Sequence, residues 1–525
     1  MSDTVDLLII GGGVNGCGIA RDAAGRGLTV TLAEMGDLAQ ATSSASTKLF
    51  HGGLRYLEYF EFRLVREALI ERETLLRAMP HISWPMRFVL PLAPEMRFES
   101  DTPTSRILSL VMPWMRGRRP DWLIRLGLFM YDHMGGRKIL PGTTRISLEN
   151  TPEGAPLKDH LTHAFEYSDA WVQDSRLVVL NARDAAARGA RILTRTKVIQ
   201  ARAEGGLWQV TLQGPDGAQQ VTARALVNAA GPWVGDVISG VMGRNTGEHV
   251  RLVRGSHIVT KRLYPHDKCY FLQGTDGRII FTIPYEQDFT LIGTTDQEHP
   301  DADTPPVCTK EEADYLRNFA AQYFKQPIKP DDIVWTYSGV RPLYDDGASS
   351  ATAATRDYVL SLDQGAGAPV LNVFGGKITT YRRLAESAMA KLASVLPPDF
   401  TPAFNEDENP ITQKWTAGVP LPGGDFPVTG VQGLIDAFQK AHDWADTATA
   451  TRLIRAYGTE AALVFKDGPG QVIAHGLTTA EVDWLTANEW AQTSEDILWR
   501  RSKLGLKFNH DDVARLDAYL NASPT

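Results

Sequence analysis

"VDLLIIGGGVNGCGIARDAAGRGLTVTLAE", residues 5–34, decides the fold. Val5 to Ile10 is a short unbroken apolar run, as expected of a parallel strand buried on both faces. The spacing Gly11-x-Gly13-x-x-Gly16 follows at once. The stretch from Val14 to Arg26 suits a helix, and Leu28 to Ala33 reads as a second strand ending at Glu34. Each part has a physical reason. Gly11 permits a tight turn, Gly13 lets a pyrophosphate approach the backbone, and Gly16 lets helix pack on strand. Free N–H groups at the helix start, Val14 and Asn15, then meet phosphate charge. Glu34 lies eighteen residues past Gly16, placed to accept hydrogen bonds from an adenosine ribose and to repel the extra phosphate of NADP. A lone glycine fingerprint carries little weight and also suits a glycine-rich turn in another α/β protein. Strand, glycines, helix, strand and acid in this order read as a dinucleotide site.

The fingerprint does not choose between NAD and FAD. After Glu34 comes "DLAQATSSASTKLFHGG", residues 37–53, dense in hydroxyls and poor in apolar periodicity. Thr42, Ser43, Ser44, Ser46 and Thr47 offer donors for an extended pyrophosphate and flavin; the plainer reading is a polar surface loop. Past residue 16 no second fingerprint appears; "KDGPGQVIAHG" comes nearest but lacks the preceding strand and the spacing.

With 525 residues, the chain has room for two to four domains of ~150 residues each. A net charge of −8 argues against a general nucleic-acid binder, though it leaves room for a local cationic pocket. Cys17, Cys269 and Cys308 are the only cysteines, which excludes a disulfide scaffold and a cysteine metal cluster and fits a reducing cytoplasm. The start "MSDTVDLLIIGGG" lacks a basic region ahead of its apolar run, so no signal peptide is expected. No apolar stretch reaches the ~18 residues of a transmembrane helix.

From "GGGVNGCGIARDAAGRGL" and "ATSSASTKLFHGGLRYLE" onward, the chain resembles the FAD-dependent glycerol-3-phosphate dehydrogenases, membrane-associated respiratory flavoproteins. The likeness continues in order through "FEYSDAWVQDSRLVVLNA", "LVNAAGPWV", "RGSHIV", "IGTTD", "VWTYSGVRPL", "FGGKITTYRRLAE" and "EDILWRRSKLGL". It implies FAD as cofactor and an α/β plus α architecture. That architecture has a Rossmann-like FAD-binding domain of the amino-acid-oxidase-like type, a substrate domain with a mixed or antiparallel sheet, and a C-terminal helical domain. The expected division assigns 1–71, 166–230 and 349–401 to the first, 72–165 and 231–348 to the second, 402–428 to a linker and 429–525 to the third. Residue patterns agree in places. "RILTRTKVIQARAE" and "LWQVTLQG" alternate as strands do, as do segments between Val250 and Thr295. Residues 402–430 are rich in proline, glycine and acids, and Thr478 with Glu481 reads as a helix cap beyond them.

The resemblance also assigns site residues. Lys48, Leu49 and His51 fall beside the flavin, the backbone at Val198 beside the adenine, and Ala230 and Gly231 in the turn past the pyrophosphate. Gly376, Lys377, Ile378 and Thr379 form a helix start facing the flavin pyrimidine, where reduction builds negative charge; Lys377 also suits the substrate. The implied substrate, sn-glycerol 3-phosphate, carries ~1.5 to 2 negative charges on its phosphate near neutrality and calls for arginines. Arg55 and Arg341 map onto substrate-binding arginines, with Tyr56 a hydroxyl donor beside Arg55. His257 is the expected base, with Arg341 stabilising the developing alkoxide. Residues 47–58 thus read as the near wall of the site.

Residues 105–138 read as a membrane-surface segment. From Arg106 to Arg125 there are five arginines against one acid, Asp121, interleaved with Trp114 and Trp122. A packed helix pair is the alternative. The family implies a peripheral enzyme on the cytoplasmic face of the inner membrane, reducing ubiquinone or another membrane quinone and binding an anionic lipid surface, with no nucleic acid and as a homodimer. Competing functions are an oxygen-using glycerol-phosphate oxidase, an oxidase of another hydroxy or amino acid, and a non-enzymatic flavin-binding regulator.

Overall fold

The computed structural model describes residues 4–93, 96–97, 102–105, 110, 120–245, 248–274, 277–345, 357–365, 367–396 and 414–522. One sheet runs in the order Val359–Asp363, Val370–Phe374, Gly217–Asn228, Val5–Ile10, Val30–Ala33 and Arg191–Leu193. Val5–Ile10 pairs in parallel with Val30–Ala33 and with Gly217–Asn228, which pairs in parallel with Val370–Phe374. The first strand's unbroken apolar run follows from double-sided burial, because side chains alternate between faces. Leu7 and Ile9 join Ile19, Val178 and Leu384 beneath the helices Val14–Gly25, Asp174–Ala187 and Tyr381–Leu392. Leu8 and Ile10 face the other way, where Trp208, Val210 and Leu212 from the Lys197–Glu204/Leu207–Gly214 hairpin cover them. Each such fully buried side chain contributes roughly 1.5–3 kcal/mol.

The second sheet runs Gln297–Glu298, Val250–Lys261, Phe289–Gly293, Ile279–Tyr285, Cys269–Gln273, Ser83–Pro91, His163–Val172 and Leu49–Phe50. Pairing is antiparallel except between Cys269–Gln273 and Ser83–Pro91. Ile333–Tyr344 pairs along Val250–Lys261, which puts Tyr337 opposite His257 and Arg341 opposite Val253. The strand His163–Val172 and the short strand Leu49–Phe50 belong to this sheet, although the sequence division assigns 1–71 and residues from 166 to the first domain. Backbone pairing, invisible in local composition, decides their place.

Beyond residue 414, the helices Val431–Ala441, Thr447–Tyr457, Thr479–Glu489 and His510–Ala522 surround Ile435, Leu453, Leu485 and Leu516. Thr478 caps the third of these by accepting from Glu481 N, while the Glu481 carboxylate takes the Arg452 guanidinium at 2.7 and 2.8 Å instead of returning to the cap. Of the expected linker, 402–413 lies outside the described residues, whereas 414–428 is packed: Trp415 Nε1 donates to Asp22 Oδ1 at 2.6 Å and Leu421 N to Ala78 O at 2.8 Å.

Of segment 105–138, residues 106–109 and 111–119 lie outside the described residues. The helix Asp121–Met134 buries Leu128 and Tyr131 and leaves Trp122, Leu126 and Phe129 exposed at 51, 47 and 58 %. Their spacing puts them on one helix face. Among the described residues no helix is long and apolar enough to cross a membrane.

Candidate active site

The carboxyl ends of the parallel strands gather the first group of expected residues. Gly11 has φ +110°, and a Cβ there would run into the Ala229 carbonyl; one on Gly16 would strike the Gly11 carbonyl. Glu34 accepts from Gly12 N at 2.6 Å and Gly36 N at 2.7 Å. Burial raises its carboxyl above the usual range against the pull of these two N–H groups. Its carbonyl accepts from Thr196 N at 2.7 Å, which brings the strand carrying Val198 alongside. Ser43 Oγ accepts from Val14 N at 3.0 Å, next to Gly13. Asn15 Nδ2 donates to Gly375 O at 3.2 Å, and Gly376, at φ +101°, lies against the same amide. Ala230 N reaches Asn228 Oδ1 at 3.4 Å, and Gly231, at φ +58°, opens the 3₁₀ turn that follows.

A second group centres on His257, 1 % exposed. Nε2 lies 3.0 Å from Thr47 Oγ1 and Nδ1 is buried without a hydrogen-bond partner. The ring stacks on Tyr337, whose hydroxyl donates to Ser46 O at 2.8 Å. Burial, then the cations of Lys48 and Arg341, hold the imidazole well below its ordinary pKa, so it is neutral at pH 7. Arg341 is half-buried; its guanidinium pairs with Asp296 and donates to Thr294 Oγ1 at 3.0 Å. Gly255 and Gly293 are required here: a Cβ on the first would meet the Arg341 guanidinium and on the second the His257 ring.

The third group is the loop from His51. Gly52 N donates to Tyr131 Oη at 2.6 Å, and Tyr131 donates to Asp169, which also pairs with Arg72. Arg55 and Tyr56 sit in the 3₁₀ turn Leu54–Tyr59, entered through Gly53 at φ +75°. Lys377 Nζ lies 3.8 Å from the centre of the Tyr56 ring, which joins the two expected substrate contacts. His51 packs against Phe281, ring centroids 6.2 Å apart.

Several side chains are differently engaged than their sequence suggests. The Lys48 ammonium sits 2.9 Å from Asp174 and 3.0 Å from Ser44 O, 1 % exposed, and its charge holds the Asp174 carboxyl low. Thr42 Oγ1 donates to Val340 O at 2.6 Å and Ser44 Oγ to Ala41 O at 3.3 Å. Leu49 is buried in its strand. The expected helix start at Lys377–Thr379 is a 3₁₀ turn, Ile378–Thr380, with the α-helix beginning at Tyr381.

A family model described as FAD dependent oxidoreductase matches residues 6–382. The chain belongs to this family. Being an FAD-dependent oxidoreductase, it also matches, over residues 414–520, the C-terminal domain of alpha-glycerophosphate oxidase. It is 47 % identical to the D-erythritol 1-phosphate dehydrogenase of Brucella abortus over 508 residues, 95 % of this chain and 94 % of that one. It is 45 % identical to the glycerol-3-phosphate dehydrogenase of Pseudomonas aeruginosa (99 and 96 % covered) and 42 % identical to the aerobic glycerol-3-phosphate dehydrogenase of Escherichia coli (99 and 97 %). Its fold matches the FAD-complexed glycerol-3-phosphate dehydrogenase of Bacillus halodurans at TM-score 0.69 and 24 % identity, covering 99 and 94 %.

FAD is the cofactor, and the cradle of this oxidoreductase fits it. Glycines stand where backbones must meet, Glu34 closes the second strand, and Asn15 Oδ1 is buried at the turn without a partner. Sequence reading missed Asp296, Thr294 and Tyr337 as neighbours of Arg341 and His257. All three lie in stretches that carry the family likeness, but their roles depend on strand register.

Proposed function

We propose that this flavoenzyme oxidises sn-glycerol 3-phosphate to dihydroxyacetone phosphate and passes the electrons to a membrane quinone. The observation that carries this reading is a neutral, buried imidazole with an unpartnered nitrogen, flanked by the cations Lys48 and Arg341. FAD supplies a two-electron acceptor for the hydride leaving the substrate carbinol. His257, neutral and held at Nε2 by Thr47, is the base that takes the hydroxyl proton. Arg341, aimed by Asp296 and Thr294, stabilises the developing alkoxide. Arg55, Tyr56 and Lys377 hold the phosphate. Its arriving negative charge opposes the cations that depress His257 and so strengthens the base at the moment of need. Relatives named glycerol-3-phosphate dehydrogenase across nearly the whole chain support the substrate.

The relative named D-erythritol 1-phosphate dehydrogenase favours a second reading, a longer polyol phosphate oxidised by the same groups. Anaerobic spectra of the holoenzyme, recorded with each phosphate in turn, test both. Bleaching by glycerol 3-phosphate supports the first reading, bleaching by D-erythritol 1-phosphate alone replaces it with the second, and bleaching by neither sinks both. Quinone against oxygen as acceptor is read by re-oxidation rates with each.

We propose further that the enzyme docks on the cytoplasmic face of an anionic membrane through the outward stripe of Trp122, Leu126 and Phe129, with Phe60 and Phe62 exposed at the start of the neighbouring helix Phe62–Ala78. A homodimer is part of the same proposal, on the family likeness alone, and the molar mass in solution tests it.

A further inference from the structure

"EDILWRRSKLGL", residues 495–506, has no part in the chemistry above. It forms the π-helical turn Asp496–Arg501 and the 3₁₀ turn Leu504–Leu506 of the C-terminal unit. Its arginines cross the seam to the first sheet. Arg500 Nε donates to Asp37 Oδ2 at 2.6 Å, and Arg501 donates to both Asp37 oxygens at 2.9 and 2.8 Å. The side chains of Asp37 and Arg501 are 1 and 0 % exposed, so this is a carboxylate between two guanidiniums in a dry seam. The turn is itself braced. Arg500 also donates to Asp496 Oδ1 at 2.6 Å, and Asp496 Oδ2 accepts from Arg195 at 2.5 Å.

Asp37 stands three residues past Glu34. Between them Gly36 N donates to one Glu34 oxygen, while Gly12 N donates to the other. Ala39 N returns to Gly12 O at 3.1 Å, and Arg195 N donates to Gly36 O at 2.8 Å. Residues 36–40 are therefore tied at one side to the glycine turn and at the other to the C-terminal arginines, with Glu34 in the middle. We propose that the C-terminal unit positions the cofactor: through Arg500, Arg501 and Asp37 it sets the turn that holds the Glu34 carboxylate in place for the adenosine end of FAD. The proposal rests on reading Glu34 as the ribose-facing acid. Asp37 and the two arginines act through Glu34 and are positioning residues.

The test removes FAD from the full-length protein and follows its re-binding by flavin fluorescence. Asp37→Asn is expected to weaken FAD binding about tenfold, and Glu34→Gln by a similar factor, each losing charge-assisted hydrogen bonds. The double variant should bind no more than about twofold weaker than Glu34→Gln alone, because both changes act on one bonded unit. Wild-type affinity in Asp37→Asn beside a weakened Glu34→Gln overturns the proposal, as do losses that simply multiply in the double variant. Wild-type affinity in Glu34→Gln overturns the reading of Glu34, and the proposal with it. Where Asp37→Asn does not fold, Arg501→Lys keeps the charge and drops the two-pronged contact. It should weaken FAD binding and raise amide exchange at residues 36–40 of the apoprotein; unchanged affinity and exchange overturn the proposal.

Discussion

His257 lies flat against Tyr337, ring centroids 4.6 Å apart and planes within 11° of parallel. The stack fixes the imidazole plane and Thr47 fixes one nitrogen, so the other has a single orientation. His257→Ala should lower the rate of flavin reduction by ~10²-fold or more, measured anaerobically by stopped flow. Unchanged reduction would remove His257 from the reaction.

Gly293 faces His257 across the strand pair, and a methyl group there would occupy ring space. Gly293→Ala should cost ~1–3 kcal/mol by overpacking and slow flavin reduction through displacement of the imidazole. Thermal unfolding and single-turnover kinetics read the two effects separately; wild-type values in both would show that the ring has room to move.

Lys377 and Tyr56 form a cation–π pair worth ~0.5–2 kcal/mol. Lys377→Met is expected to raise KM for the phosphate substrate more than it lowers kcat. An equal fall in kcat with unchanged KM would reassign Lys377 to the transition state.

His81 is fully buried against Gly423, Gly458 and Phe426, beside Arg176, Arg455 and Arg183. Burial and these cations push its pKa down to about 3. The unfolded chain takes up a proton below pH ~6.5 that the folded chain refuses, so stability falls as pH drops from 6.5 towards 3. At pH 5 the loss from this group is about 2 kcal/mol. His81→Leu should flatten the fall in thermal midpoint between pH 7 and 5. A slope as steep as the wild type's would place the acid sensitivity elsewhere.

For membrane docking, the triple change Trp122→Glu, Leu126→Glu and Phe129→Glu should abolish sedimentation with anionic vesicles while leaving flavin content intact. Retained binding would move the docking face away from this helix.

The nucleotide half was legible because its signals are local: an apolar strand, glycines at a fixed spacing and an acid at the next strand end all lie within residues 5–34. His257 and Arg341 were singled out through the resemblance, but their partners were not. Tyr337 meets His257 only because two long strands pair in one register, and Asp296 reaches Arg341 from a separate turn. The link from Arg500 to Asp37 spans 463 residues, beyond any periodicity. The engagement of Lys48 was hidden for a different reason. The resemblance places it beside the flavin, and its ion pair with Asp174, 126 residues away, forms only in the fold.

The helix Asp121–Met134 shows Trp122, Leu126 and Phe129 to the outside, while Tyr131 on its inner side bonds Gly52 in the loop that leads to Arg55 and Tyr56. Fourteen residues thus answer to two masters. On the docking face and substrate contacts proposed above, a substitution that tunes adhesion by shifting this helix also moves the loop that carries Arg55 and Tyr56. Evolution has few silent moves there on that proposal: affinity for a new surface and selectivity for a new polyol phosphate change together.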